Sequence, residues 1–279
     1  MEGQGAGCAC RRRRLSVDLD PGRIDLWCAC IDDIDAAGLL PRYRPLLGAQ
    51  ELARMERLRF ARDRRRDLVA RALVRTVLSR YAAVDPREWA FCADANGRPR
   101  IANPPPGPGI EFNLSHSGGL VVLGVGTGCA LGVDVESISR NTDTDRLDRY
   151  FAPREREALL ELPAAERRRR FFELWTLKEA YLKARGEGLR LALDAFAFDF
   201  TGERGLRLSF EGQPADSPRR WRLWQFTPRT DHVVAVCAGG VEPPEGEPRL
   251  IVREVVPLAW EKAVEVGFVR SGSDQGRTS

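Results

Sequence analysis

The sequence predicts an α+β fold in two halves, each setting helices beside an antiparallel sheet. Three observations predict it. Two long segments carry apolar residues at helical spacing, one in each half of the 279-residue chain. Short β-branched runs bounded by turn residues recur around them. The coarse order of these elements fits a duplicated unit, although no residue-level repeat accompanies it.

Residues 1–14, rich in Gly and Arg, are expected to form a disordered leader. Ile24 to Ile31 has strand character. From Ala49 to Tyr81 the residues Leu52, Met55, Leu58, Leu68, Ala72, Val74 and Leu78 recur near helical spacing, which predicts two helices with a break near Phe60 to Asp63. Asn96-Gly97 marks a turn and Asn103 to Gly109 a Pro/Gly loop. Glu111 to Leu114 reads as a short strand. Leu120 to Val125 and Ala130 to Val135, joined through Gly126-Thr127-Gly128, predict a β-hairpin. Helices are expected over Pro153 to Leu162 and Ala164 to Ala184, the second ended by Gly186 and Gly188. Strands should follow at Phe196 to Phe200, Leu206 to Phe210, Trp221 to Phe226 and Val233 to Ala238, then a disordered tail from 266 to 279. The chain thus divides into a leader (1–14), an N-terminal half (15–127), a C-terminal half (128–247) and an extension with its tail (248–279).

The net charge of +4 does not call for nucleic acid as a partner. No apolar run approaches the length of a membrane span, and none follows Arg11 to Arg14 as a secretory signal would require. The cytoplasm is the expected location. Seven cysteines, an odd number, argue against a disulfide framework. Cys8/Cys10 and Cys28/Cys30 form C-x-C pairs, but their spacing is not that of a zinc module; the first falls in the leader, the second in a strand. Only three of the 44 basic residues are lysines, Lys178, Lys183 and Lys262, and two of them fall close together. A compact point charge is the reason to keep a lysine in an arginine-rich chain; chance is the other.

Four clusters carry chemistry. In Gly-Val-Asp134-Val-Glu136 the two acids share one strand face, half of a hard-cation site or an ordinary exposed face. In Trp175-Thr-Leu-Lys-Glu-Ala-Tyr-Leu-Lys183, Glu179 and Lys183 share a helix face that apolar neighbours partly cover. Phe112-Asn-Leu-Ser-His-Ser117 sets His116 beside Ser115, Ser117 and a Gly-Gly turn, which together offer several phosphate donors, or is a polar loop. The arginines Arg54, Arg66, Arg71 and Arg75 read mostly as a solvated face.

Together with Phe60-Ala-Arg-Asp63 and Asn96-Gly-Arg-Pro99, these stretches occur in the order and spacing of one family. The sequence resembles the Sfp-type 4'-phosphopantetheinyl transferases, from about residue 24 to about residue 240. The resemblance implies two pseudo-symmetric α/β halves of that family's fold in one monomer, with coenzyme A in the cleft between them. It implies transfer of the 4'-phosphopantetheine arm to a serine of an apo carrier protein of polyketide, nonribosomal peptide or fatty acid synthesis, with Mg2+ and release of 3',5'-ADP. By the same resemblance Asp134, Glu136 and Glu179 hold the metal. Arg54, Asn113, Ser115 and His116 face the coenzyme, Gly97, Arg98 and Pro99 border its adenine nucleotide, and Lys183 neutralises the pyrophosphate. Glu179, Lys183 and His116 carry the catalysis. A metal-dependent phosphodiesterase or nuclease and a non-catalytic carrier-binding module are the competing readings. The extension lies outside the resemblance.

Overall fold

A computed structural model describes residues 17, 19, 20, 22–103, 109–144, 148–186, 191–210, 216–240 and 249–272. The leader with Cys8 and Cys10, the centre of the Pro/Gly loop and Gly188 lie outside them.

Strand β1 (Arg23–Cys30) leads into short helices α1 (Ile31–Ala36) and α2 (Leu40–Tyr43), then α3 (Ala49–Glu56) and α4 (Ala61–Leu78). A small exposed hairpin, β2 (Phe91–Ala93) and β3 (Pro99–Ile101), precedes β4 (Ile110–Ser117), β5 (Leu120–Thr127) and β6 (Ala130–Ser137). Helices α5 (Pro153–Glu161) and α6 (Ala164–Arg185) follow, then β7 (Phe196–Thr201), β8 (Gly205–Phe210), β9 (Trp221–Arg229) and β10 (His232–Gly239). Three further strands close the fold: β11 (Arg249–Val256), β12 (Trp260–Val264) and β13 (Phe268–Gly272). Among the described residues no helix is long and apolar enough to cross a membrane.

The larger sheets run β12-β11-β1-β5-β4 and β6-β10-β9-β13-β8-β7. They pack face to face, and each carries a long helix on its outer face. Alternation along the strands makes this possible. On β10, Val234 and Val236 join Ile24, Leu26 and Val122 between the sheets, while Ala235 and Cys237 join the layer beneath α6. On the other side Leu68, Val69, Leu73 and Val77 of α4 pack on Trp27, Val121, Leu123 and Val125.

Three expectations are corrected. The segments read as a hairpin part company: β5 lies between β1 and β4, and β6 pairs with β10 in the other sheet. The tail read as disordered from 266 contains β13, which is inserted between β9 and β8. The extension read as separate from both halves contributes to both sheets: β11, paired in parallel with β1, and β12 extend the first, and β13 enters the second.

The arginines of α4 are not all a solvated face. Arg75, almost fully buried, donates to Glu51 Oε2 at 2.6 Å and to the carbonyls of Pro86 and Trp89, and Arg71 donates to Glu51 Oε1 at 2.9 Å. Burial alone would raise the Glu51 pKa, but the Gly48 N–H and the two guanidiniums outweigh it and hold the carboxyl below its usual range. A depressed folded pKa contributes stability above the unfolded value and loses it as pH falls through the folded one. Glu51→Gln is therefore expected to melt lower than wild type at neutral pH, and the gap should close as pH drops below about 4. A gap in melting temperature that stays constant from pH 7 to pH 3 would contradict this.

Candidate active site

The site sits where the edge strands of the two sheets meet. Asn113 Oδ1 on β4 accepts the Val133 N–H of β6 at 2.8 Å, and Ser117 Oγ accepts the Ser137 N–H at 3.1 Å. Leu131, Val133 and Val135 point between the sheets, so Gly132, Asp134 and Glu136 face α6. Gly132 is required there: a Cβ would lie 2.0 Å from the Ala180 carbonyl oxygen and 2.4 Å from the Ala184 nitrogen. This close approach sets Lys183 and Glu179 beside Asp134. Gly186, left-handed at φ 70°, then ends the helix.

Asp134 is buried, and each of its oxygens has a different fate. Oδ1 accepts from Lys183 Nζ at 2.6 Å and from Ser115 Oγ at 2.8 Å. Oδ2 is buried with no hydrogen-bond partner. Lys183 Nζ also donates to Ser115 Oγ and to the Val133 carbonyl, both at 3.1 Å. Glu136 accepts from Ser117 Oγ at 2.8 Å and from Arg140 Nη1 at 2.8 and 3.0 Å. Burial, then the charge of Asp134, raises its pKa against the pull of Ser117 and Arg140. Burial likewise raises Glu179, reinforced by Asp134 and Glu136 and opposed by Lys183. The three acids thus lie within one another's field.

Among the described residues no three His, Cys, Asp or Glu side chains stand close enough to cage a metal unaided. What the strand and helix offer is an open set: an orphaned, buried carboxylate oxygen with two further acids near it. That suits magnesium, which takes one or two carboxylates and completes its shell with water and phosphate oxygens.

His116 lies on the opposite face of β4 from Ser115, open to solvent. Partial desolvation, then the charges of Arg66 and Lys183, lowers its pKa. Arg54 is exposed on α3 and has no ion pair with a described residue. Gly97 and Pro99 are exposed on the β2–β3 hairpin, but Arg98 between them is not: its guanidinium is folded onto backbone carbonyls of α6 and β6.

Residues 130–237 match the family model described as "4'-phosphopantetheinyl transferase superfamily", and residues 42–127 match "4'-phosphopantetheinyl transferase, N-terminal". The 4'-phosphopantetheinyl transferase HetI of Nostoc sp. is 33% identical over 218 residues, spanning 78% of this chain and 88% of HetI. The chain belongs to the 4'-phosphopantetheinyl transferase superfamily. Two Bacillus transferases are similar as well. Psf-1 of Bacillus pumilus is 33% identical over 183 residues (66% of this chain, 73% of psf-1), and Sfp of Bacillus subtilis 28% over 204 residues (73% and 87%).

Sequence reasoning missed several supports of this transferase's site. Arg140, four residues from Glu136 and bonded to it, carried no motif signal, and Ser117, read only as one of the serines beside His116, also donates to Glu136. His232 is buried against the same turn, with Nδ1 2.8 Å from Asp231 Oδ1 and Nε2 3.2 Å from the Ser117 carbonyl. Its rarity, one of two histidines, was the only hint. The Cys28/Cys30 pair does lie in a strand, and burial pushes the Cys28 thiol up to about 12, which disfavours a ligating thiolate.

Proposed function

We propose that this transferase moves the 4'-phosphopantetheine arm of coenzyme A to a serine hydroxyl of an apo carrier protein, with Mg2+, releasing 3',5'-ADP. The observation that carries the metal is the buried, unpartnered Oδ2 of Asp134, with Glu179 and Glu136 in its field. Asp134 and Glu179 would hold the ion, with Glu136 the weaker ligand because Ser117 and Arg140 already occupy its oxygens. A bound ion would offset charge on the pyrophosphate.

The serine oxygen forms a bond to the β-phosphorus while the bond to the departing 3',5'-ADP breaks. The serine proton needs an acceptor, and Glu179, beside Asp134 and Lys183, would take it. Lys183 would stabilise the charge that grows in the transition state, and His116 would add to it. Ser115, Asn113 and Arg54 hold the coenzyme, with the Gly97 to Pro99 turn at its nucleotide end. The reading carries with it a cytoplasmic monomer acting on carriers of polyketide, nonribosomal peptide or fatty acid synthesis, without nucleic acid or membrane.

Incubation with coenzyme A, magnesium and an apo carrier protein tests the reaction: the carrier should gain the mass of one phosphopantetheine. An unmodified carrier and a cleaved phosphodiester would point instead to hydrolysis. Rigorous chelation should abolish transfer and added magnesium restore it. Asp134→Ala and Glu179→Ala should each cost far more than Glu136→Ala. Full activity after chelation would remove the metal from this account.

A further inference from the structure

We infer that Arg98 is a positioning residue, one that fixes the end of α6, and with it Lys183, against β6; this rests on the transferase reading. Its side chain is only 9% exposed. Nη1 donates to the Lys183 carbonyl at 2.5 Å and Nη2 to the Leu131 carbonyl at 2.7 Å. The first acceptor is one of the last carbonyls of α6, which have no partner inside the helix. The second lies on β6, three residues before Asp134. Two residues earlier, Asn96 Nδ2 donates to the Gly186 carbonyl at 2.7 Å. A single exposed hairpin turn therefore ends on the helix that carries Lys183 and on the strand that carries Asp134.

The chemistry favours this role. A guanidinium presents a rigid planar fork whose separate N–H groups bridge two carbonyls on different elements, whereas an ammonium offers its donors from a single point. A cation at a helix C-terminus also meets the negative end of the dipole. The side chain is thereby turned inward, onto α6 and β6. The nearest carboxylate, Glu111, stands 3.9 Å from Nη2. The nucleotide end of the coenzyme would meet the backbone of this turn, while the side chain sets the distance between Lys183 and Asp134.

The test compares wild type, Arg98→Gln, Arg98→Lys and Asn96→Ala, each with coenzyme A and with 3'-dephospho-coenzyme A, and follows hydrogen exchange along α6. Misplacing a reacting group by a fraction of an ångström to 1 Å costs up to about a hundredfold. Arg98→Gln is therefore expected to lower kcat by roughly ten- to a hundredfold. Its preference for coenzyme A over the dephospho form should match wild type, and its amides near Lys183 to Gly186 should exchange faster. Arg98→Lys should recover only part of kcat. Asn96→Ala, at an exposed turn, should keep its melting temperature and show a smaller loss of the same kind; it reads the same clamp if Arg98→Gln does not fold. If Arg98→Gln keeps kcat but loses the preference for coenzyme A, Arg98 is a phosphate contact and the inference is overturned. Unchanged exchange at the end of α6 overturns it too. That exchange readout decides the matter even if wild type transfers nothing, the outcome that would defeat the transferase reading itself.

Discussion

Lys178→Ala is expected to cost about 3–5 kcal/mol of stability, the range seen when one member of a buried ion pair is removed. Lys178 lies one residue from Glu179 in sequence, yet it points away from the site into the core. Its side chain and that of Glu155 are both fully buried, with Nζ 2.7 Å from Oε2. Nζ also donates to the carbonyls of Leu193 and Phe196, each at 2.7 Å, and lies 4.3 Å from the Phe196 ring centre. Glu155 in turn accepts the backbone N–H groups of Ala152 and Phe198. Truncating the lysine strands two carbonyls and a carboxylate away from water. At roughly 2–4 °C per kcal/mol the melting temperature should fall by about 6–20 °C.

The pH dependence of that loss identifies its cause. Burial raises the Glu155 pKa, and Lys178 is the first of the contacts that oppose it. Without Lys178 that opposition is lost, and the carboxyl's pKa in the fold should rise further above its value in the unfolded chain. A raised folded pKa contributes stability that is fully present below the unfolded value and lost as pH rises through the folded one. The deficit of Lys178→Ala should therefore shrink as pH falls toward about 4. Lys262→Ala is the control: its side chain is 60% exposed and pairs with Glu254 at 2.8 Å, so its loss should cost under about 1 kcal/mol. Equal deficits for the two variants would contradict the buried pair.

The same lysines show what was legible in the sequence. Their scarcity marked Lys178 and Lys183 as special, and the structure supplies the reason: each ammonium uses its three protons on three acceptors in a tight space. Sequence could not tell that one of them serves the core. Helices α4 and α6 were readable because a long helix repeats its apolar stripe many times. Helices α1 and α2 and strands β2 and β3 are too short for any period to register. The false hairpin has a different cause. Two apolar runs joined by a glycine turn look alike whether they pair or separate. What decides is the partner, and β6 finds its own about 100 residues later, on β10. Strands β12 and β13 were missed because Trp-Glu-Lys-Ala-Val and Phe-Val-Arg-Ser-Gly mix charge into short segments. The site acids and Lys183 were visible by residue type and spacing. The roles of Ser115 and Ser117 as donors to those acids, and the inward turn of Arg98, depend on which sheet edge lies beside β6.

Lys183→Ala is expected to lower kcat by roughly a hundredfold or more while the fold persists, the scale of removing a preorganised donor from a developing charge. Its side chain is 27% exposed, so one side remains open to a ligand, and its three contacts place Nζ against Asp134, Ser115 and the Val133 carbonyl. A surface ion pair of the common i,i+4 kind would cost under about 1 kcal/mol on removal and leave catalysis alone. The strongest contact of Lys183 is not its helix neighbour Glu179 but Asp134 on the facing strand, at 2.6 Å. That geometry ties the ammonium to the proposed metal ligand and to the serine beside it. Lys183→Arg is the sharper variant. A guanidinium keeps the charge but is planar and larger, and cannot direct three donors at acceptors clustered around one point. It should therefore fold and still lose most of kcat, with a smaller change in KM for coenzyme A. Circular dichroism and melting temperature establish first that both variants are folded. A folded Lys183→Ala with wild-type kcat and KM would return this lysine to the role of a tether between α6 and β6.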